Sequence, residues 1–232
     1  MIKVVIFDLD DTLISEMEYV HSGFRAVAEY LEQTYGLDGV FENLIRLMKE
    51  DKKLVFNRLL DAKKIPYSAN EMAKIVERYK MHEPKISFFP DVLPTIDFLK
   101  LHNIKCAVLT DGSFLTQKLK IKAVDGENIF EEILYTDQLG REYWKPSSKG
   151  FEILKEKFQV DYEEILYVGD NPQKDFFISK IYPVHTVRIM REGALYENEE
   201  YLEGIQEEYR IKDFRELVDI LQELGATICE EY

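Results

Sequence analysis

The chain has 232 residues, 46% hydrophobic and 32% charged, with 30 basic against 44 acidic side chains and a formal net charge of -14. That length is enough for one α/β core or a core with an inserted subdomain, and the composition is that of an ordinary soluble globular protein. The acidic balance disfavours nonspecific binding to nucleic acid or anionic membranes, no stretch is apolar for long enough to span a bilayer, and the opening residues run into a strand without a signal-peptide pattern, so a cytoplasmic protein acting on small molecules is expected.

Val4 to Phe7 is the β-branched and aromatic run of a strand buried on both faces, as in a parallel sheet, and Asp8, Asp10, Asp11 and Thr12 follow it. Ligands of such sheets gather outside the carboxyl ends of the strands. Period-two geometry points Asp8 and Asp10 the same way, so two like charges crowd one space unless a cation neutralises them. Magnesium, a hard ion that prefers oxygen, suits that role. Solvated turn carboxylates, with Thr12 capping the next segment, are the plainer reading of this motif in isolation. The partners downstream decide between the two.

From Ser15 the pattern turns helical. Ser15 and Glu18 form a capping-box pair, followed by a stripe of Met17, Val20, Phe24, Val27, Ala28, Leu31 and Tyr35 that Gly36 stops. Val40, Phe41, Leu44, Ile45 and Met48 begin a second helix, and Ser68 with Glu71, then Met72, Ile75, Val76 and Tyr79, mark a third. The stripes read as the core of a small bundle. Arg25, Arg46, Lys49, Lys52, Lys53 and Arg58 in this region are candidates for a substrate carboxylate or second phosphate, although a solvated face explains most of them.

After Pro90 strands and helices alternate, which predicts a doubly wound, mostly parallel sheet with right-handed crossovers. Helices are expected over 92–101, 114–124 and 151–158, strands over 133–135, 165–168 and, last, 186–189, with a closing amphipathic helix on Phe214, Leu217, Ile220 and Leu221. The strand from Cys106 ends in Thr110 and a turn, Asp111-Gly112-Ser113, whose backbone N–H groups suit a phosphate. Lys145 stands before a helix start, with Pro146 placed in its first turn. The strand from Ile165 ends in Gly169-Asp170-Asn171, and Asp175 offers a second carboxylate in the first turn of the next helix.

Each of these has a bland reading too: Thr110 as a strand end, Lys145 as a loop lysine, Asn171 as a helix cap. Four strand ends that together supply a hydroxyl, an ammonium and several carboxylates make a site. Glu192, Glu197, Glu199, Glu200, Glu203, Glu207 and Glu208 are expected on a solvated surface helix or loop. Cys106 and Cys229 imply no disulfide framework, and His21, His82, His102 and His185 lack the spacing of a zinc site.

At these residues the chain resembles the haloacid dehalogenase superfamily, in its phosphotransferase branch with a C1-type cap, the branch of phosphoglycolate phosphatases and β-phosphoglucomutases. Asp8-Leu9-Asp10-Asp11-Thr12 looks like the first motif, Thr110 the second, Lys145-Pro146 the third, and Gly169-Asp170-Asn171-Pro172 with Asp175 the fourth. The resemblance covers residues 1–14 and 90–190. It implies an α/β core over 1–14 and 86–232 and a helical cap over 15–85 that closes on the site and selects substrates.

It also implies roles. Asp8 would be the nucleophile that carries an aspartyl phosphate and Asp10 the acid and base. Mg2+ would be held by Asp8, Asp170 and the Asp10 carbonyl. Thr110 and the Asp111 and Gly112 amides would hold the phosphoryl oxygens, with Lys145 offsetting charge, Asp175 orienting Lys145 or the metal's water, and Asn171 in support. The expected activity is hydrolysis of a small phosphorylated metabolite. A mutase returning the phosphoryl group to a second hydroxyl of a sugar is the nearest rival, and a non-catalytic binding protein a more distant one. Asp10 argues against a dehalogenase, which needs no leaving-group acid. Substrate identity and oligomeric state stay open.

Overall fold

The computed structural model of the chain describes residues 1–196 and 199–226, so Glu197 and Cys229 lie outside the described residues. Contacts divide the chain into two compact units, Met1–Glu16 with Ser87–Tyr232, and Met17–Ile86.

In chain order the elements are β1 (Val4–Phe7), α1 (Glu16–Tyr35), α2 (Val40–Glu50), α3 (Val55–Ala62), α4 (Ala69–Met81), α5 (Val92–Leu101), β2 (Lys105–Thr110), α6 (Phe114–Ala123) and α7 (Gly126–Ile129). Then come β3 (Glu132–Tyr135), α8 (Lys149–Phe158), β4 (Ile165–Gly169), α9 (Ile178–Ile181), β5 (His185–Ile189), β6 (Tyr209–Ile211) and α10 (Leu217–Glu223). The six strands form one sheet in the order β3-β2-β1-β4-β5-β6, every pair parallel. This is the expected doubly wound α/β sheet. Its strand order reverses direction at β1, between β2 and β4, where the carboxyl ends of an open sheet leave a crevice.

β1 is buried along its whole length. Val4 and Ile6 share one face with Ala107, Leu109, Phe151, Leu154, Ile165 and Tyr167. Phe7 lies in the alternate register and packs its ring 5.4 Å from Phe214 and 6.3 Å from Phe130. Both faces of the strand are therefore apolar, and only its end is left for chemistry.

The second unit is helical. Phe24, Val27, Ala28 and Leu31 of α1, Val40, Leu44 and Leu47 of α2, Val55, Leu59 and Leu60 of α3 and Ile75 of α4 form its core. Gly36, at φ +62, follows the last residue of α1, as expected. The Ser68–Glu71 capping box opens α4. Among the proposed cations, Arg25 stacks 4.2 Å over Phe41, and Arg46 and Arg58 pair with Glu50 at 2.7 and 2.8 Å. Lys49, Lys52 and Lys53 are exposed.

Several elements depart from expectation. α3 was not predicted, because it is eight residues long and begins at Leu54, in a left-handed conformation, without a capping side chain. The last strand is β6 rather than β5: three residues are too short a signal beside the acidic run before them. Pro146 precedes α8 instead of entering its first turn, following a cis peptide bond from Lys145. Asp175 sits in a turn, since helix begins again only at Ile178. Phe214 falls in a short 3-10 turn ahead of α10. Within the acidic tract, Glu207 is not solvated: its side chain is 4% exposed and accepts from Tyr201 at 3.0 Å and Arg210 at 2.7 Å.

One buried ion pair joins distant segments of the first unit. Arg191 donates to Asp91 at 2.7 Å and to the Thr12 carbonyl at 3.1 Å, between the rings of Phe89 and Phe214. The same Asp91 oxygen caps the Phe214 amide at 2.8 Å. Removing one partner of a buried pair strands the other charge, so Arg191→Met should cost about 3–5 kcal/mol in urea unfolding, against less than about 1 kcal/mol for Arg46→Met in its exposed pair. Similar losses in the two variants would contradict this account.

Candidate active site

The site is assembled at the carboxyl ends of β1, β2 and β4. The Asp8 amide continues the ladder by donating to the Val168 carbonyl at 2.8 Å, which fixes the carboxylate where β1 stops. The chain then turns sharply, with Asp11 at φ 51, a left-handed conformation that Asp tolerates better than most residues. The Asp11 carboxylate holds this turn by accepting from the Glu16 amide at 2.9 Å and the Leu195 amide at 3.0 Å.

Lys145 is the centre of the charge network. Its ammonium, 1% exposed, donates to Asp8 Oδ1 at 2.6 Å and the Tyr167 hydroxyl at 2.7 Å, and lies 2.9 Å from Asp175 Oδ1. Tyr167 in turn donates to Asp175 at 2.8 Å, and the second Asp175 oxygen accepts the Asn171 amide at 2.9 Å. Gly169 permits this packing, because a Cβ there would stand 2.6 Å from Asp175 Oδ2. The Lys145 ammonium is thus held by Asp8, Tyr167 and Asp175 inside the protein. The arrangement sets its charge against Asp8 and Asp175.

Asp10 points elsewhere. Lys120 Nζ donates to its Oδ1 at 2.7 Å and Gln117 Nε2 to its Oδ2 at 2.9 Å, both from α6. Gln117 also donates to the Thr110 hydroxyl at 2.7 Å, so one amide links the first and second motifs. Gly112, at φ +113, brings the turn against the Gln117 side chain, where a Cβ would lie 3.3 Å from it. The Asp111 side chain accepts from Thr136 at 2.7 Å, the Lys145 amide at 3.1 Å and Lys174 Nζ at 3.3 Å.

The carboxylates differ in their electrostatics. Burial pushes Asp8 up to about 6 despite the opposing charges of Lys145 and Lys174. Burial would raise Asp10 as well, but the Lys120 charge and its hydrogen bonds overcome it and hold the carboxyl below the ordinary value. Asp170 is raised well above the usual carboxylate range by burial and by the charges of Asp175, Asp8 and Asp11. Burial, then Asp10, push Glu16 up to about 7.

A cation fits this surplus of negative charge. One oxygen each from Asp8, Asp170 and Asp175 lie within 4.8 Å of one another, and among the described residues the buried Asp170 Oδ2 has no hydrogen-bond partner. Asp175 is already engaged, so Asp8 and Asp170 are the carboxylates open to a hard divalent ion. The Asp10 side chain is not among them, which leaves only its carbonyl for the ligand role expected of that residue.

Of the expected residues, the structure thus brings Asp8, Lys145, Asp170, Asn171 and Asp175 into one cluster and Asp10 with Thr110 into an adjoining one. Sequence reasoning missed Lys120, Gln117, Tyr167, Thr136 and Lys174. Lys120 and Gln117 did leave a signal, as polar residues spaced i, i+3 beside Ile121 on the buried face of α6.

A family description, haloacid dehalogenase-like hydrolase, matches residues 5–189. The chain belongs to this family of enzymes. It is 28% identical over 234 residues to glyceraldehyde 3-phosphate phosphatase of Methanocaldococcus jannaschii, covering 97% of this chain and 99% of that one. The enzyme of the same name from Methanopyrus kandleri is 29% identical over 236 residues, covering 97% and 99%. Among solved structures, the HAD-hydrolase YfnB from Bacillus subtilis, bound to magnesium, has a TM-score of 0.69 at 20% identity, covering 95% of this chain and 98% of that one. That likeness shows the fold.

Glu16 offers a test of these electrostatics apart from activity. A carboxyl whose folded value is raised stabilises the fold below its unfolded value and loses that contribution as pH climbs through the folded one. For Glu16 that window runs from 4.5 to about 7. In chelator, Glu16→Gln should therefore melt close to the native protein at pH 5 and above it at pH 8. A gap that does not grow with pH would contradict the assignment.

Proposed function

We propose that the protein is a magnesium-dependent phosphatase that hydrolyses a small phosphate monoester through an aspartyl phosphate on Asp8. The observation that carries this is the end of β1, where a buried carboxylate held by Lys145 stands beside an unpartnered Asp170 oxygen. Asp8, Asp170 and the Asp10 carbonyl would hold the metal, which when bound neutralises the carboxylates and the incoming phosphate dianion.

Lys145 occupies Asp8 Oδ1, so Oδ2 attacks phosphorus in line. The bond from phosphorus to the ester oxygen breaks, and the departing alkoxide takes a proton from Asp10. Water then attacks the phosphorus of the acyl phosphate, gives its proton to Asp10, and releases phosphate with Asp8 restored. Paired with Lys120 and Gln117, Asp10 is in the form that accepts a proton. A phosphate dianion nearby raises the affinity of Asp10 for the proton it must first carry. Thr110, the Asp111 and Gly112 amides and Lys145 provide positive potential at the phosphoryl oxygens, with Asp175 and Asn171 orienting the lysine. The names of the relatives make triose phosphates and other short phosphorylated metabolites the first substrates to assay.

Phosphate release from an aryl phosphate should require Mg2+, stop in EDTA and vanish in a folded Asp8→Asn variant. Activity surviving either treatment would sink the mechanism, and an isomeric sugar phosphate formed without net phosphate release would identify a mutase instead.

The role of Asp10 is separable from that of Asp8. Asp10→Asn should slow alkyl phosphates, whose leaving groups need a proton, by about 100-fold or more while sparing an activated aryl phosphate far better. Equal losses on both substrates would count against an acid at this position.

A further inference from the structure

Two lysines stand among the carboxylates of this site in different states. Lys145 donates to Asp8 and Tyr167 at 2.6 and 2.7 Å and is ion-paired with Asp175 at 2.9 Å. Lys174 is a quarter exposed, and among the described residues its ammonium meets one acceptor, Asp111 Oδ2, at 3.3 Å. That is long for a contact between charged groups, which settles at about 2.7–2.9 Å when fully formed. Asp111 does not depend on it, since its other oxygen already accepts from Thr136 and the Lys145 amide.

Lys174 is nevertheless well placed. Its charge acts on Asp8, Asp10, Asp170 and Asp175, and its backbone is pinned by donation to the Asn171 carbonyl at 3.2 Å. An anion approaching a group of carboxylates needs donors that are not already committed. Freeing Lys145 would leave the buried Asp8 Oδ1 without its donor, at about 1–3 kcal/mol. Freeing Lys174 gives up only a long contact to an oxygen whose carboxylate keeps two other donors.

We infer that Lys174 is a second phosphate-contacting cation of this site, beside Lys145: its ammonium exchanges the Asp111 contact for a non-bridging oxygen of the phosphoryl group, while Lys145 keeps its pairing with Asp8. The inference rests on the phosphatase reading. It divides between two lysines the work that the motifs assign to one, and it makes the residue before Asp175 part of substrate binding.

The test is calorimetric titration of the native protein, Lys174→Met and Lys174→Arg with inorganic phosphate in the presence of Mg2+. A charged hydrogen bond of ordinary strength predicts binding at least about tenfold weaker in Lys174→Met, with a matching rise in KM for an aryl phosphate and an unchanged melting temperature. Lys174→Arg, which keeps the charge, should bind phosphate more tightly than Lys174→Met. Native-like binding in Lys174→Met, equal weakness in the two variants, or no phosphate binding by the native protein would each overturn the proposal. If Lys174→Met does not fold, Lys174→Gln is read in the same way. Failure of the phosphatase reading itself would appear separately, as no phosphate release by the native protein, and titration of phosphate would still decide the role of Lys174.

Discussion

The shared ammonium of Lys145 is the interaction on which the site depends. A lysine buried this deeply is tolerable only because two carboxylates and a hydroxyl surround it, and those carboxylates are tolerable only because of the lysine. Its three partners come from the end of β1, the body of β4 and the turn after β4, while the lysine itself comes from the loop before α8. Three stretches far apart in sequence, around Asp8, Lys145 and Tyr167 to Asp175, are thereby held to one geometry. The strand order does the rest, because the reversal at β1 sets the carboxyl ends of β2, β1 and β4 side by side.

Around that centre the charges remain unequal. Asp8, Asp10, Asp11, Asp111, Asp170 and Asp175 face Lys120, Lys145 and Lys174, and the cost shows in the raised values of Asp8 and Asp170. Unlike Asp175, Asp170 has an oxygen with no hydrogen-bond partner among the described residues. A site arranged in this way attracts a divalent cation, and with the cation present it can admit a phosphate dianion. Asp10 is set apart by Lys120 and Gln117, which gives its carboxylate surroundings unlike those of Asp8.

Much of this was legible in the sequence. β1 needed only the buried run Val4–Phe7, since β-branched and aromatic residues on both faces have few alternatives to a parallel strand. The positions of Asp8, Thr110 and Asp170 followed from counting strand ends, because chemistry in an open sheet gathers there, and Lys145 from the helix start that follows it. Local signals also placed the Ser68–Glu71 cap and the stop at Gly36.

What a side chain does once it reaches the site was not local information. No pattern in the chain says that the Asp10 carboxylate turns to α6, that Tyr167 bridges Lys145 and Asp175, or that Lys174 keeps a single long contact, because each depends on residues brought together by the sheet order. α3 and β6 escaped for a related reason: short elements without capping or alternating signals are stabilised by packing rather than by their own sequence. The sequence by itself determined the longer strands and helices and the residues at the strand ends, since these follow from periodicity and turn chemistry. Only the tertiary structure decided how those residues share protons and charge, because burial and distance, which set those energies, do not exist until the chain has folded.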